Sequence, residues 1–291
     1  MGRKKASFRG TWYPGSRDEC ESHIKDYLKD KNGILKGDFQ GCVVPHAGWY
    51  YSGSIACRTI ASLAFQNKKR KIDCVIVCGL HMHKEDSPLL LGSGSWETPF
   101  GELDIDEAFA SRIVAKSDSE GIKISNKSHQ SFPSENTIEL QLPFVKYFFE
   151  NTPIVPIGAP PTKDAIKLGS AVYNAAKDLD LDIVVIGSTD LTHYGQSFGF
   201  TPAGLGEKSY EWVKNDNDAN AVKALISMDA EQIINNGNSK HNMCCAGAAA
   251  AAATICKKLG SKKGIKVEYD SSYSKSPGES FVGYTGILFS T

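Results

Sequence analysis

Short runs of five or six apolar, mostly β-branched residues recur along this chain, and a stretch of helical periodicity follows several of them. Gly41-Cys-Val-Val-Pro45, Asp73-Cys-Val-Ile-Val-Cys78, Pro153-Ile-Val-Pro-Ile157 and Asp182-Ile-Val-Val-Ile186 carry no polar-apolar alternation. A strand that faces water on one side alternates; one without alternation must be covered on both faces. Helical stretches near Ser54 to Phe65, Asn136 to Phe149 and Lys163 to Ala176 supply such cover. Further helices are predicted near Asp216 to Ser227, Ala230 to Asn235 and, rich in alanine, Cys244 to Lys258. Ile265 to Tyr269 and Phe281 to Phe289 read as closing strands. Leu89 to Leu91 and Glu102 to Ile105 read as a smaller pair around the turn Glu97-Thr-Pro-Phe-Gly101. The pattern predicts an α/β fold: a mostly parallel or mixed central sheet flanked by helices. No polar seam or low-complexity run interrupts it, so residues 1–291 are read as one domain.

Composition narrows the function classes. Lysine plus arginine equals aspartate plus glutamate, 33 each, so the basic excess of a nucleic-acid binder is missing and no nucleic-acid partner is predicted. The longest nearly continuous apolar stretch, Ala246 to Ile255, is about half of what a bilayer span requires, so no membrane partner is predicted either. The basic Gly2-Arg3-Lys4-Lys5 start is not followed by the apolar segment of a secretory leader, and a cytoplasmic location is expected. The 8 cysteines include no CxxC pair, and they read as reduced, mostly buried thiols.

In open α/β sheets, ligands bind beyond the carboxyl ends of the strands. Three strands here end in side chains able to hold a metal: Val44-Pro45-His46-Ala47-Gly48, Cys78-Gly79-Leu80-His81-Met82-His83 and Ser188-Thr189-Asp190-Leu191-Thr192-His193. His241-Asn-Met-Cys244-Cys245 adds a fourth group where the alanine-rich helix begins. Taken singly, a histidine after a strand is a hydrogen-bonded loop residue roughly three times in four. Asp190 could cap a turn, and the two cysteines could pack against alanines. Their joint placement at strand ends is the signal. Imidazoles with a thiolate or carboxylate suit iron, zinc or copper and suit magnesium or calcium poorly. Asp190 and His193, three residues apart, fit a carboxylate that orients an imidazole for proton transfer. Either His81 or His83, and either Cys244 or Cys245, could face the site.

Other chemistries are less well supported. Gly92-Ser-Gly-Ser95 lacks the nucleophile-elbow pattern, and there is no Walker A sequence or GxGxxG fingerprint. A nucleophilic Cys244 paired with His46 or His193 is an alternative use of the same residues. Trp12 and Tyr51 are more simply packing residues, yet they could wall a pocket for a planar ligand. Glu135 opens a helix with good capping chemistry and could also face the site.

Thr11-Trp12-Tyr13-Pro14, His46-Ala47-Gly48-Trp49-Tyr50-Tyr51-Ser52-Gly53, Trp96 to Glu102, Ile138 to Phe144, Ser188 to Tyr194 and Gly283 to Phe289 occur in the order seen in one known family. Over nearly its whole length the chain resembles the Memo family, also called AmmeMemoRadiSam system protein B. That family is similar in fold to the class III extradiol (LigB-like) dioxygenases. The resemblance implies a LigB-like α/β fold with a metal-type site at His46, His81 and Cys244, lined further by Asp190 and His193. The chain departs from the family pattern at Cys78-Gly79-Leu80-His81, at Glu135-Asn136-Thr137 and at Cys244-Cys245.

Three functions follow as expectations. The first is a non-heme, metal-dependent oxidoreductase holding iron or copper, with zinc the redox-silent alternative. Its substrate would be a small aromatic molecule, with His193 and Asp190 as the catalytic pair. The second is a peptide- or protein-binding module that reuses the pocket, with Trp12, Tyr51 and Glu135 on its walls. The third, resting on the resemblance alone, is a component of a modification pathway with an AMMECR-type protein and a radical SAM enzyme.

Overall fold

The computed structural model describes residues 2–30, 33–66 and 71–291. Its central sheet has nine strands. They are Phe39–Val44 (β1), Cys74–Gly79 (β2), Leu89–Leu91 (β3), Ser125–Lys127 (β4), Ile154–Gly158 (β5), Ile183–Ser188 (β6), His193–Tyr194 (β7), Lys263–Ser271 (β8) and Phe281–Ser290 (β9). The runs without alternation became β1, β2, β5 and β6, each buried at every residue. They lie side by side in the order β1-β6-β2-β5, all parallel. Antiparallel partners close both sides: β9 pairs with β1, β7 and β8 on one side, and β3 pairs with β5 on the other.

The helices are Arg17–Tyr27 (α1), Trp49–Gln66 (α2), Glu107–Ser119 (α3), Asn136–Glu139 (α4), Leu142–Phe149 (α5), Lys163–Asp178 (α6), Glu207–Trp212 (α7), Asp218–Ser227 (α8), Ala230–Lys240 (α9) and Ala246–Lys258 (α10). From β1 the chain crosses through α2 to β2, two places along the sheet; from β5 it crosses through α6 to β6, two places back. Right-handed crossovers in opposite directions must use opposite faces. Accordingly, one core joins the sheet to α3, α6, α8, α9 and α10, and a second joins it to α1, α2 and α5. The expected fold class, a mixed central sheet flanked by helices, is the one observed.

Alanine in α10 is explained by distance. A Cβ on Gly187 of β6 would sit 2.9 Å from the Cβ of Ala252 and 3.3 Å from the carbonyl oxygen of Ala248. Helix and sheet approach until glycine faces alanine, and a longer side chain on either would push them apart.

Several elements differ from the sequence reading. The helix expected over Asn136 to Phe149 is broken into α4 and α5, with Pro143 in the first turn of the second; proline starts a helix well and cannot continue one. Helix α2 begins five residues early, at Trp49, because the turn after β1 is only four residues long. Leu89–Leu91 joins the main sheet, while Ser95–Thr98 and Gly101–Asp104 form the hairpin around the Glu97-to-Gly101 turn. Arg3–Lys4 completes that second, three-stranded sheet. A π-helical turn at Val213–Asn217 precedes α8, and α9 runs on to Lys240. Among the described residues no helix is long and apolar enough to cross a membrane.

Candidate metal centre

Register builds the site. Val44 of β1 pairs with Ser188 of β6, so the loops that follow leave the sheet in step, and two residues on in each come His46 and Asp190. The His46 backbone N–H donates to Asp190 Oδ1 at 2.7 Å. Strand β2, on the other side of β6, ends at Gly79, and the chain then turns through Leu80 at a φ of 70°. A non-glycine residue in this region is strained, and here a bond from the Leu80 N–H to Thr137 Oγ1 (2.8 Å) holds the turn. It delivers His81 to the site, its ring centroid 5.1 Å from that of His46 and nearly perpendicular to it. Cys244 arrives from the opposite direction, just before α10. Its N–H donates to the Asp190 carbonyl (3.2 Å), and its Sγ accepts the Asp190 N–H (3.3 Å).

Both imidazoles have fixed tautomers. The Ser188 hydroxyl donates its one proton to the Thr137 carbonyl at 2.6 Å, so it can only accept from His46 Nδ1 at 3.0 Å. Nδ1 therefore carries a hydrogen, and Nε2 faces Cys244 Sγ at 3.2 Å, within hydrogen-bond reach. Gln141 steadies the serine, its Nε2 bonding both the Pro45 carbonyl (2.9 Å) and Ser188 Oγ (3.3 Å). His81 repeats the device with a carboxylate: its Nδ1 and its backbone N–H both donate to Glu135 Oε2, at 3.0 and 2.9 Å. Burial would raise the Glu135 carboxyl, but the bonds from His81 and Thr137 win and hold it at about 2.

Electrostatics favour a thiolate at Cys244. Burial opposes ionisation, yet the Cys245 thiol and the imidazoles of His46 and His193 outweigh it, and the Cys244 thiol is held well below its ordinary range. The neighbouring Cys245 thiol is driven the other way, by burial and by the Cys244 charge. Burial also works against charge on His46, but Asp190 and Cys244 turn the net shift upward. His193 is raised to about 10 by Asp190 and Cys244 despite its burial. Its Nε2 lies 3.8 Å from Asp190 Oδ2, an ion-pair distance too long for a hydrogen bond, and among the described residues that buried nitrogen has no hydrogen-bond partner.

The chain thus brings His46, His81, Cys244, Asp190 and His193 together, and it adds Cys245. One donor atom each from His46, His81, Cys244 and Cys245 lies within 4.8 Å of the others. His83 is outside the donor group; its backbone N–H donates to Asp86, and with His193, Phe198, Phe200 and Cys244 it lines a cavity of about 630 Å³ over the site. Trp12 lies against the turn after His46, its carbonyl accepting the Trp49 N–H at 2.8 Å. Trp12 is 42% exposed and stands edge-on to Phe8, and Tyr51 packs edge-on to Tyr50; neither lines the cavity. Glu135 reaches His81 and not the cavity. Sequence reasoning missed Ser188, Thr137 and Gln141 as the groups that fix the imidazoles. Their only sequence signal is proximity to residues already singled out.

A family model described as Memo-like protein matches residues 4–288. The chain belongs to the Memo family. It is 29% identical to a MEMO1 family protein of Pyrococcus furiosus, with 98% of each chain covered. It is 32% identical to one from Saccharolobus solfataricus (91% of this chain, 88% of the relative) and 30% identical to one from Thermococcus kodakarensis (96% and 97%). Among solved structures it is similar to an uncharacterized protein from Escherichia coli K12, with a TM-score of 0.55 and 11% identity over 86% of this chain and 99% of that one. That likeness concerns the fold.

In this Memo-family chain the donor chemistry fits a transition-metal ion. Two imidazoles turn Nε2 inward because their Nδ1 atoms are bonded outward, and a sulfur held toward the thiolate stands beside them.

Proposed function

We propose that the chain holds one first-row transition-metal ion, iron or copper, on His46, His81 and Cys244, and uses it for redox chemistry on a small molecule entering through the cavity. The observation that carries this reading is the pair of fixed tautomers. Both imidazoles commit Nδ1 outward, to a hydroxyl and a carboxylate, as metal-ligating histidines usually do, and His46 Nε2 is left beside the Cys244 sulfur. When bound, such an ion supplies Lewis acidity and one-electron redox capacity.

The remaining work falls to the chain. Beside the cavity His193 presents a buried nitrogen that has no hydrogen-bond partner among the described residues, so it can give a hydrogen bond or proton to a ligand oxygen. Asp190 stands behind both His46 and His193, its Oδ2 at 3.9 and 3.8 Å from their Nε2 atoms, and balances positive charge on either. Phe198 lies edge-on to His193 with 5.0 Å between ring centroids, which gives the cavity an apolar, planar wall suited to a small aromatic molecule.

The test is metal content of anaerobically purified protein beside His46→Ala and Cys244→Ser. Near-stoichiometric iron or copper, lost in both variants, is expected, followed by oxygen uptake with an aromatic substrate panel that His193→Gln suppresses. Zinc in every preparation would remove the redox chemistry but keep the site. Protein that takes up no metal on reconstitution would leave only a binding pocket.

A further inference from the structure

We infer that Cys245 supplies a fourth ligand, so that the metal sits in a set of two nitrogens and two sulfurs and thiophilic ions such as copper(I) or zinc are preferred to iron(II). This rests on the metal reading above and narrows it.

Geometry carries the inference. Two metal–sulfur bonds of about 2.3 Å meeting at the tetrahedral angle place their sulfurs about 3.8 Å apart. The Cys244 and Cys245 Sγ atoms stand 3.8 Å apart. A sulfur and an imidazole nitrogen on the same ion would be separated by about 3.6 Å, close to the 3.2 Å between Cys244 Sγ and His46 Nε2. The His81 donor atom falls within the same 4.8 Å group. The two sulfurs thus stand at the spacing of a shared ion, with both imidazoles within 4.8 Å of them, whereas His193 and Asp190 stand outside the group.

The Cys245 backbone is fixed for this task. Its N–H donates to Thr189 Oγ1 at 3.0 Å, tying it to the loop that carries Asp190, and it caps α10 without using its side chain. The residue is 3% exposed, and among the described residues the only hydrogen-bond partner of its sulfur is Cys244 Sγ. Cys245 packs in the core that α10 forms with the sheet, and the contact its sulfur makes there is with the sulfur of Cys244. A second soft donor shifts preference toward soft ions and fills the position that a three-ligand site leaves open.

The full-length protein, metal-free, should be titrated anaerobically with cobalt(II), a spectroscopic stand-in for zinc. The wild type is expected to give the intense visible bands of tetrahedral cobalt and a near-ultraviolet sulfur-to-cobalt absorption. In Cys245→Ser the latter should fall by about half, with cobalt still bound. Zinc-edge X-ray absorption of the wild type needs no variant, and two sulfur neighbours are expected. One sulfur neighbour, or a near-ultraviolet band unchanged in Cys245→Ser and Cys245→Ala, would overturn the fourth ligand and leave the three-ligand site standing. Absence of cobalt binding in the wild type would overturn both.

Discussion

Single hydrogen bonds decide what the histidines can do. Ser188 matters because its proton is already given to the Thr137 carbonyl, which leaves it an acceptor that fixes the His46 tautomer. Ser188→Ala should preserve the fold, free the ring to exchange tautomers and weaken metal affinity about 10- to 100-fold in a competitive chelator titration. Asp218 is a second case, away from the donor group. Its Oδ1 accepts the Thr192 N–H and hydroxyl, and its Oδ2 accepts the Tyr269 hydroxyl. Burial pushes the carboxyl up to about 7, even though those three bonds pull it down. A carboxyl raised on folding binds a proton that the unfolded chain has lost, so its contribution to stability is full below about pH 4 and is lost as the pH rises through about 7. Asp218→Asn keeps one oxygen to accept from Thr192 and removes the titration. Urea unfolding from pH 4 to 8 should show a fall in stability with pH that is shallower in the variant. Equal slopes in the two proteins would sink this account.

At the level of elements, the break between α4 and α5 and the alanines of α10 do the positioning. A continuous helix from Asn136 to Phe149 would leave no bend near Gln141; the observed break turns its amide to the Pro45 carbonyl and Ser188 while Thr137 faces Leu80. Helix α10 brings Cys244 and Cys245 to the sheet only because it can lie close upon β6. Ala252→Leu should cost about 1–3 kcal/mol through overpacking against Gly187, read as a lower urea midpoint. Because the displaced helix carries the thiols at its start, metal affinity should fall in the same variant. A variant with unaltered affinity would separate helix position from site geometry.

Across the whole molecule, the donors come from segments around residues 46, 81 and 244, which only the folded chain brings together. Metal binding and folding are therefore linked. A metal held by the folded chain alone stabilises it by about 2.7 kcal/mol at a free concentration one hundred times Kd. The Tm should rise by several degrees with added copper(I) or zinc, and His46→Ala should show no rise. An equal rise in that variant would point to binding elsewhere.

The sequence by itself determined the parallel centre of the sheet, since Cys-Val-Ile-Val-Cys or Ile-Val-Val-Ile leaves no polar face to show to water. It also marked His46, His81, Asp190, His193 and Cys244, because chemistry in such sheets gathers where strands end. Those are local properties, readable from hydrophobicity and from distance along the chain. It did not determine the helix break near Pro143, which residues line the cavity, or the choice of His81 over His83. Nor could it decide which nitrogen each histidine offers. Each of these depends on contacts between residues tens to about two hundred positions apart: Leu80 with Thr137, His46 with Ser188, and Cys244 with His46. Only the packed sheet brings those groups within reach, because hydrogen bonds and metal ligands act over about 2 to 3 Å.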